Sequence, residues 1–238
     1  MLLFYDPFYM AVFGVGLLLS LWASAKTKGA FRKYSKLPTR SGMTGAQVAA
    51  AILRDHGVHD VTIEPVPGEL SDHYDPKNKV LRLSEPVHDG RSMAAFGVAA
   101  HEVGHALQDA QEYAPLNFRS AWVPVANTGS GLAIFIIIAA MVLQGMQSVW
   151  GEPVAWLGLA LFATSTIFTV VTLPVEFDAS RRALEALEAG RYADEEELRG
   201  AKKVLDAAAL TYVAAAVASL LMLLYWAVRL GLLGGRDD

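Results

Sequence analysis

Three residues near the middle of the chain have the types and the spacing that bind and use a divalent metal ion. Residues 101–105 read His-Glu-Val-Gly-His, and their Ala-rich flanks predict an α-helix through the motif. Four helical residues turn about 400°, so His101 and His105 project from one face and can share one tetrahedral zinc ion. Glu102 lies about 100° around the helix, where its carboxylate can accept a proton from metal-activated water. The pattern therefore predicts hydrolysis of peptide bonds.

Two histidines leave one protein ligand to be found. An extended motif with Gly at 108 and His at 111 would supply a third imidazole, but the chain has Gln108 and Gln111 there. The other arrangement takes a glutamate from a later helix. Glu176 fits, because an acid is unusual at the end of an apolar stretch, where Lys or Arg is more common on the cytoplasmic side. Asp178 is the alternative.

Four stretches without Asp, Glu, Lys or Arg are the elements that must position these residues. They cover 7–25, 120–151, 153–175 and 207–228. Each is long enough to cross a hydrocarbon layer of about 30 Å as a helix. Apolar residues make up 53% of the chain and charged residues 18%, with a mean hydropathy of +0.32. This composition excludes an ordinary soluble domain and a disordered chain.

The spans divide the chain into five regions. These are a transmembrane anchor (1–25), a cytoplasmic catalytic region with the motif helix at about 92–111 (26–119), two transmembrane helices joined by a short turn (120–173), cytoplasmic helices with the third ligand (174–206), and a transmembrane helix with a short tail (207–238). Basic residues follow the first span and do not precede it, which favours a retained anchor over a cleaved signal. Of the 20 Lys and Arg residues, 12 lie in the long loop, six in the second loop and two in the tail. This bias places both loops in the cytoplasm and both termini outside.

Local signals predict further elements inside the two loops. Ser41 or Thr44 is expected to cap a helix that ends near residue 56, and Ser92 to begin the motif helix. Residues 61–63 and 80–83 read as strands, and the second strand, with a free edge, is a candidate to pair with an extended substrate. Asp194 is expected to cap another helix, whose first turn is acidic.

Four segments together resemble a known family. They are Ala-Ala-His-Glu-Val-Gly-His-Ala-Leu-Gln (99–108), Asp-His-Tyr-Asp-Pro (72–76), Leu-Pro-Val-Glu-Phe-Asp-Ala-Ser-Arg-Arg-Ala-Leu (173–184) and Ala-Leu-Thr-Tyr-Val-Ala (209–214). The chain resembles the bacterial multi-pass membrane zinc metallopeptidases of the YugP type. The resemblance implies a membrane protease with one zinc ion per chain, His101 and His105 as ligands and Glu102 as acid/base. A looser similarity to HtpX-like and prenyl-protein proteases implies Glu176 as third ligand.

The expected fold is a mainly α membrane protein with about four transmembrane helices and a small α+β gluzincin-like catalytic domain on the cytoplasmic face. Those looser relatives place Ala-Asp three and four residues after the glutamate, whereas this chain has Ala179-Ser180. The acid that orients a ligating imidazole therefore stays open. The candidates are Asp178, Asp206 and Asp109, and those for an oxyanion stabiliser are His73, Tyr74, Arg181 and Tyr212.

Two other functions remain open at this point. An intramembrane site-2-type zinc protease would need the motif helix inside the bilayer and an Asp ligand in another span. A non-catalytic scaffold would use the zinc ion structurally. The expected partners are the lipid bilayer and a protein or peptide near the membrane surface. A net charge of −4 without a basic face gives no sign of a nucleic-acid partner. The oligomeric state is not predicted.

Overall fold

The computed structural model describes residues 6–233, which form a mainly helical protein with one small sheet. The elements are α1 (Pro7–Tyr34), α2 (Gly45–Asp55), β1 (Thr62–Val66), β2 (His73–Asp75), β3 (Val80–Ser84), α3 (Glu85–His88), α4 (Met93–Ala110), α5 (Ala114–Gly145), α6 (Gly151–Ala189) and α7 (Glu195–Arg229). The predictions for the outermost ends of the chain, residues 1–5 and 234–238, lie outside the described residues.

Four of these helices are long and apolar enough to cross a membrane. They are α1, α5, α6 and α7, and each has an 18-residue window with mean hydropathy between 1.8 and 2.2. The four predicted spans are therefore confirmed by length and composition. Helices α1, α6 and α7 extend well past their charge-free stretches, and α6 runs through Pro174 to Ala189 without a break. The span and the helix predicted after Pro174 are thus one element, and the same holds for α7 from Glu195 onward.

The three strands form a sheet in the order β1-β3-β2. Strand β3 pairs in parallel with β1 and antiparallel with β2. It is therefore the central strand, and the prediction of a free edge at 80–83 was wrong. The sequence signal for β2 is weak because this strand has only three residues, so the element that covers the second edge of β3 was not expected. The free edges belong to β1 and β2.

The chain divides into two compact units. The first consists of the described parts of Met1–Trp22 and Tyr212–Asp238 together with Phe118–Thr172. Its core packs aromatic and aliphatic side chains: Ile137, Ala140, Ala155, Tyr225, Trp226 and Leu230. Within this unit, Cβ of Ala218 would come within 3.1 Å of a Cβ added at Gly16, so α1 and α7 pack closely there.

The second unit consists of Ala23–Asn117 and Leu173–Thr211 and contains every residue of the HExxH motif. Its core packs α2, the sheet and α4 around Phe96, with Ile52 and Leu81 also buried. Thr44 starts α2 with a reciprocal capping box: its side chain accepts from the Gln47 amide, and the Gln47 side chain accepts from the Thr44 amide. The expected caps at Thr44 and Ser92 are both present.

Candidate metal centre

Helix α4 carries the motif, and its sequence explains why it begins at Met93 and packs closely against its neighbours. The Ser92 side chain accepts a hydrogen bond from the Ala95 amide, which satisfies one of the free N–H groups of the first turn. Alanines at 94, 95, 99, 100 and 106 favour the helix, and their small side chains leave little bulk around its backbone. Neighbouring helices can therefore approach the α4 backbone closely, and the motif side chains are held within the unit.

Gly104, inside the motif, sets the distance between α4 and α6. A Cβ atom added there would lie only 2.4 Å from the carbonyl oxygen of Ala179. Only glycine allows this approach, because any side chain would push the α6 backbone away. Ala179 lies between Glu176 and Ser180, so this contact brings both side chains to the histidine face of α4.

His101, His105 and Glu176 converge on one point. One ligand atom from each lies within 4.8 Å of the others. Oε2 of Glu176 is 3.2 Å from Nε2 of His101 and 3.5 Å from Nε2 of His105. Ligands at 2.0–2.1 Å from a tetrahedral zinc ion lie about 3.3 Å apart. The two separations to Glu176 and the donor set, two imidazoles and one carboxylate, therefore fit zinc.

Gln108 fixes the tautomer and the orientation of the His105 ring. The Gln108 amide nitrogen donates to the carbonyl oxygen of Val175 at 2.8 Å and to Oδ2 of Asp178 at 2.9 Å. This leaves Oε1 of Gln108 facing Nδ1 of His105 at 3.0 Å. Since an amide oxygen only accepts, Nδ1 of His105 carries the proton and Nε2 keeps its lone pair toward the site.

Ser180 has the corresponding position beside His101. Its Oγ lies 3.1 Å from Nδ1 of His101, which places the free ring nitrogen, Nε2, toward Glu176. Residue 180 is a serine, not an acid. In this structure a hydroxyl therefore contacts the imidazole. A neutral partner orients the ring but does less than a carboxylate to raise its basicity.

Glu102 is buried beside the two histidines, with 7% of its surface exposed. Burial raises the pKa of the Glu102 carboxyl, while the neighbouring His101 and His105 rings lower it in part. Glu176 and Asp72 add to the rise, since nearby negative charges disfavour a further carboxylate. A carboxyl with a raised pKa is suited to accept a proton and later release it.

Asp178, His73 and Arg181, which the sequence suggested as orienting or oxyanion-stabilising groups, have different surroundings in the structure. Asp178 accepts from the side-chain amide of Gln108 and pairs with Arg181 and Arg182. It is therefore connected to the His105 ring through Gln108. His73 is exposed, and its Nδ1 is 2.8 Å from the Ser71 carbonyl. Arg181 is also exposed, and it pairs with Glu185 as well as Asp178.

Asp109 and Asp206 pair with residues other than His101, His105 and Glu176. Asp109 accepts from the hydroxyl of Tyr74 at 2.7 Å and from Lys79 at 2.6 Å. Asp206 pairs with Lys202 on the surface of α7. Tyr212 belongs to the first unit, whereas His101, His105 and Glu176 belong to the second.

Sequence reasoning missed the roles of Gln108, Ser180 and Gly104 in building this site. One signal was available for Gln108: it lies three residues after His105 on the same helical face, in a helix that is otherwise almost wholly apolar. No comparable local signal existed for the other two residues, because their partners are more than seventy residues away in the chain.

One family model and one curated protein are similar to most of this chain. A family model described as "putative neutral zinc metallopeptidase" matches residues 9–231. The chain is 46% identical over 220 residues to a protein of Bacillus subtilis (strain 168) named "Putative membrane protease YugP", covering 92% of this chain and 94% of that protein. No solved structure is significantly similar. The family match and the four apolar helices show that this chain is a membrane protein of the family described as putative neutral zinc metallopeptidases.

Proposed function

We propose that the chain is a zinc-dependent metalloendopeptidase that hydrolyses peptide bonds at the cytoplasmic surface of the membrane. The observation that carries this proposal is the convergence of His101, His105 and Glu176 beside the buried carboxyl of Glu102. Two rings with Nε2 turned toward a carboxylate form a donor set for zinc. The neighbouring Glu102 supplies the group that moves protons during hydrolysis.

His101, His105 and Glu176 would hold the ion. When bound, zinc lowers the pKa of water toward 7 and polarises a carbonyl oxygen. The Glu102 carboxylate accepts a proton from the attacking water as its oxygen bonds to the peptide carbon. Glu102 then donates that proton to the amine nitrogen as the C–N bond breaks. Burial of Glu102 favours its protonated form between these two transfers.

The number of ligands favours catalysis over a structural zinc site. Within residues 6–233, His101, His105 and Glu176 form the one cluster of three or more metal-ligating side chains. Structural zinc sites usually close with four protein ligands, whereas catalytic sites keep a fourth position for water or substrate. Three ligands next to a proton-accepting glutamate therefore support a peptidase.

The position of the motif helix supports cleavage at the membrane surface. Helix α4 is not among the four helices that qualify as candidate spans, and it packs with α2 and the sheet. An intramembrane site would need the motif inside a span. The excess of Lys and Arg in the loops around the motif supports a cytoplasmic location. The substrates we propose are membrane proteins or their segments near that surface.

The test of function compares glutamate variants of the purified full chain. We expect Glu102→Gln to keep stoichiometric zinc but lose at least about 100-fold in peptide cleavage, since general acid–base catalysis contributes at least that factor. Glu176→Ala should lose tight zinc binding. Glu112→Gln, an exposed glutamate just after the same helix, is the matched control and should resemble the wild type. Unchanged cleavage by Glu102→Gln would refute the proposal.

The test of orientation uses single cysteines, since the chain has none of its own. Lys77→Cys lies in the exposed turn between β2 and β3, and Val149→Cys in the exposed connection between α5 and α6. In intact cells, a membrane-impermeant thiol reagent should label Val149→Cys and spare Lys77→Cys until the cells are opened. The reverse pattern would place the catalytic region outside.

A further inference from the structure

A basic cleft lies in the second unit, and its lining contains none of His101, His105 and Glu176. Its volume is about 760 Å³. One wall comes from the last turns of α1 and the residues just after it, and the other from the segment that precedes α4. The lining residues are Lys28, Phe31, Arg32, Ser35, Lys36, Pro38, Glu69, Leu70, Pro86, Gly90, Arg91 and Ser92.

One face of α1 supplies most of the basic wall. Lys28 and Arg32 are one helical turn apart, and Lys36 follows four residues after Arg32. Phe31 lies between the first two and packs against the core of the unit, which forms an apolar floor. Lys26 and Lys33, which are basic residues of the same helix, do not line the cleft.

The cleft has an excess of positive charge. Four of its lining residues are basic, and a fifth, Glu69, is the single carboxylate of the lining. Within residues 6–233, no carboxylate forms an ion pair with Lys28, Arg32 or Lys36. Arg91 donates to the carbonyl oxygen of Gly42, which fixes the position of its guanidinium. Four cations and one carboxylate around one cavity leave a net positive charge, which is suited to bind an anion.

The cleft begins at the end of a candidate membrane span. Lys26 is the first charged residue after the apolar stretch of α1, and Lys28 follows about 3 Å further along the axis. Arg32 lies about 9 Å from Lys26 along the axis of the same helix. These heights match the headgroup layer, which adds several ångströms beyond the hydrocarbon core. The most accessible anion at that level is the phosphate of a lipid.

We propose that this cleft binds the phosphate headgroup of an anionic phospholipid. Phosphodiester oxygens accept hydrogen bonds from Lys28, Arg32 and Lys36, and Phe31 contacts the adjacent apolar portion of the lipid. A role in membrane topology alone would not require these side chains to share a cavity. Lys26 and Lys33 would serve topology equally well from outside it.

The occupant would contact both sides of a backbone connection. The amide of Thr39 donates to the Arg91 carbonyl oxygen at 2.9 Å, and the amide of Met93 donates to the Leu37 carbonyl oxygen at 3.0 Å. The segment after α1 is therefore joined to the start of α4, and the cleft lies beside this junction. A lipid bound there would stabilise the end of the membrane helix against the start of the motif helix.

The test measures lipid retained by the full-length protein in nanodiscs. Native mass spectrometry would compare dioleoylphosphatidylglycerol with dioleoylphosphatidylcholine, with and without millimolar inorganic phosphate. We expect the wild type to retain one phosphatidylglycerol. The Lys28→Gln/Arg32→Gln variant should bind it at least roughly 100-fold more weakly, because each of two charge-assisted hydrogen bonds to the phosphate contributes at least about tenfold.

Two matched variants separate the cleft from general charge. Lys26→Gln/Lys33→Gln removes the same charge from the same helix and should retain the lipid. Lys28→Arg/Arg32→Lys keeps the cleft charge and should also retain it. Equal loss in both glutamine variants would overturn the proposal, as would equal retention of phosphatidylcholine. Displacement of the lipid by inorganic phosphate, with phosphate bound in phosphatidylcholine discs, would assign the cleft to a free anion and also overturn it.

Discussion

Replacing Gln108 with leucine should weaken zinc binding without touching a ligand. Gln108 is fully buried and makes three hydrogen bonds, one of them from Nδ1 of His105. Leucine has a similar length but neither accepts nor donates. Asp178 keeps its bonds to two arginines in this variant, so the main group left without a partner is Nδ1 of His105.

The expected size of the effect follows from that single lost contact. Removing a group that orients a metal-ligating histidine typically costs 10- to 100-fold in metal affinity, or about 1.4 to 2.7 kcal/mol. The free energy of unfolding should also fall, by about 1 to 3 kcal/mol, because a buried donor stays unsatisfied. Both changes come from one ring that is no longer held in its binding orientation.

Competition with a fluorescent zinc chelator at pH 7, on detergent-solubilised full-length protein, would measure the affinity. Gln111→Leu is the matched control: it lies at the end of the same helix, is exposed, and accepts from Arg182 instead of a ligand. We expect it to bind zinc like the wild type. If Gln108→Leu also matched the wild type, Gln108 would not orient His105. Equal weakening of both variants would point to a general loss of structure.

Two further predictions concern the same unit. Removing zinc with a chelator should lower the melting temperature, since a ligand at 100 times its Kd stabilises the folded state by about 2.7 kcal/mol; differential scanning calorimetry before and after zinc is restored would measure this. Gly104→Ala should destabilise the protein by about 1 to 3 kcal/mol and weaken zinc binding, because its Cβ would lie 2.4 Å from the Ala179 carbonyl oxygen. Gly131→Ala, a helical glycine with open space around it, should be neutral or slightly stabilising.

Each of these has a clear contradicting result. A melting temperature that changes neither with the chelator nor with restored zinc would mean that no ion stabilises the folded state. A stable Gly104→Ala variant with normal zinc affinity would mean that α6 can shift without moving Glu176, contrary to the close packing of the two helices.

Local sequence signals predicted several elements well because their causes are local. The caps at Thr44 and Ser92 depend on residues within one turn, and the structure contains both. The apolar stretches predicted four helices long enough to span a membrane, since length and hydropathy are properties of a continuous segment. The ends of α6 and α7 were less predictable because a helix can continue from apolar into charged sequence without a break.

The spacing of the motif placed His101 and His105 on one face and Glu102 beside them, because an α-helix has a fixed repeat. Which distant groups would meet that face depended on tertiary packing. The approach of α6 to Gly104 brings in Glu176 and Ser180 from more than seventy residues away. Gln108 orients His105 only because Val175 and Asp178 occupy both of its N–H groups. Likewise, β3 is a central strand because β2 pairs with it. Strand β2 has only three residues, which is too short a pattern to predict that pairing from the sequence.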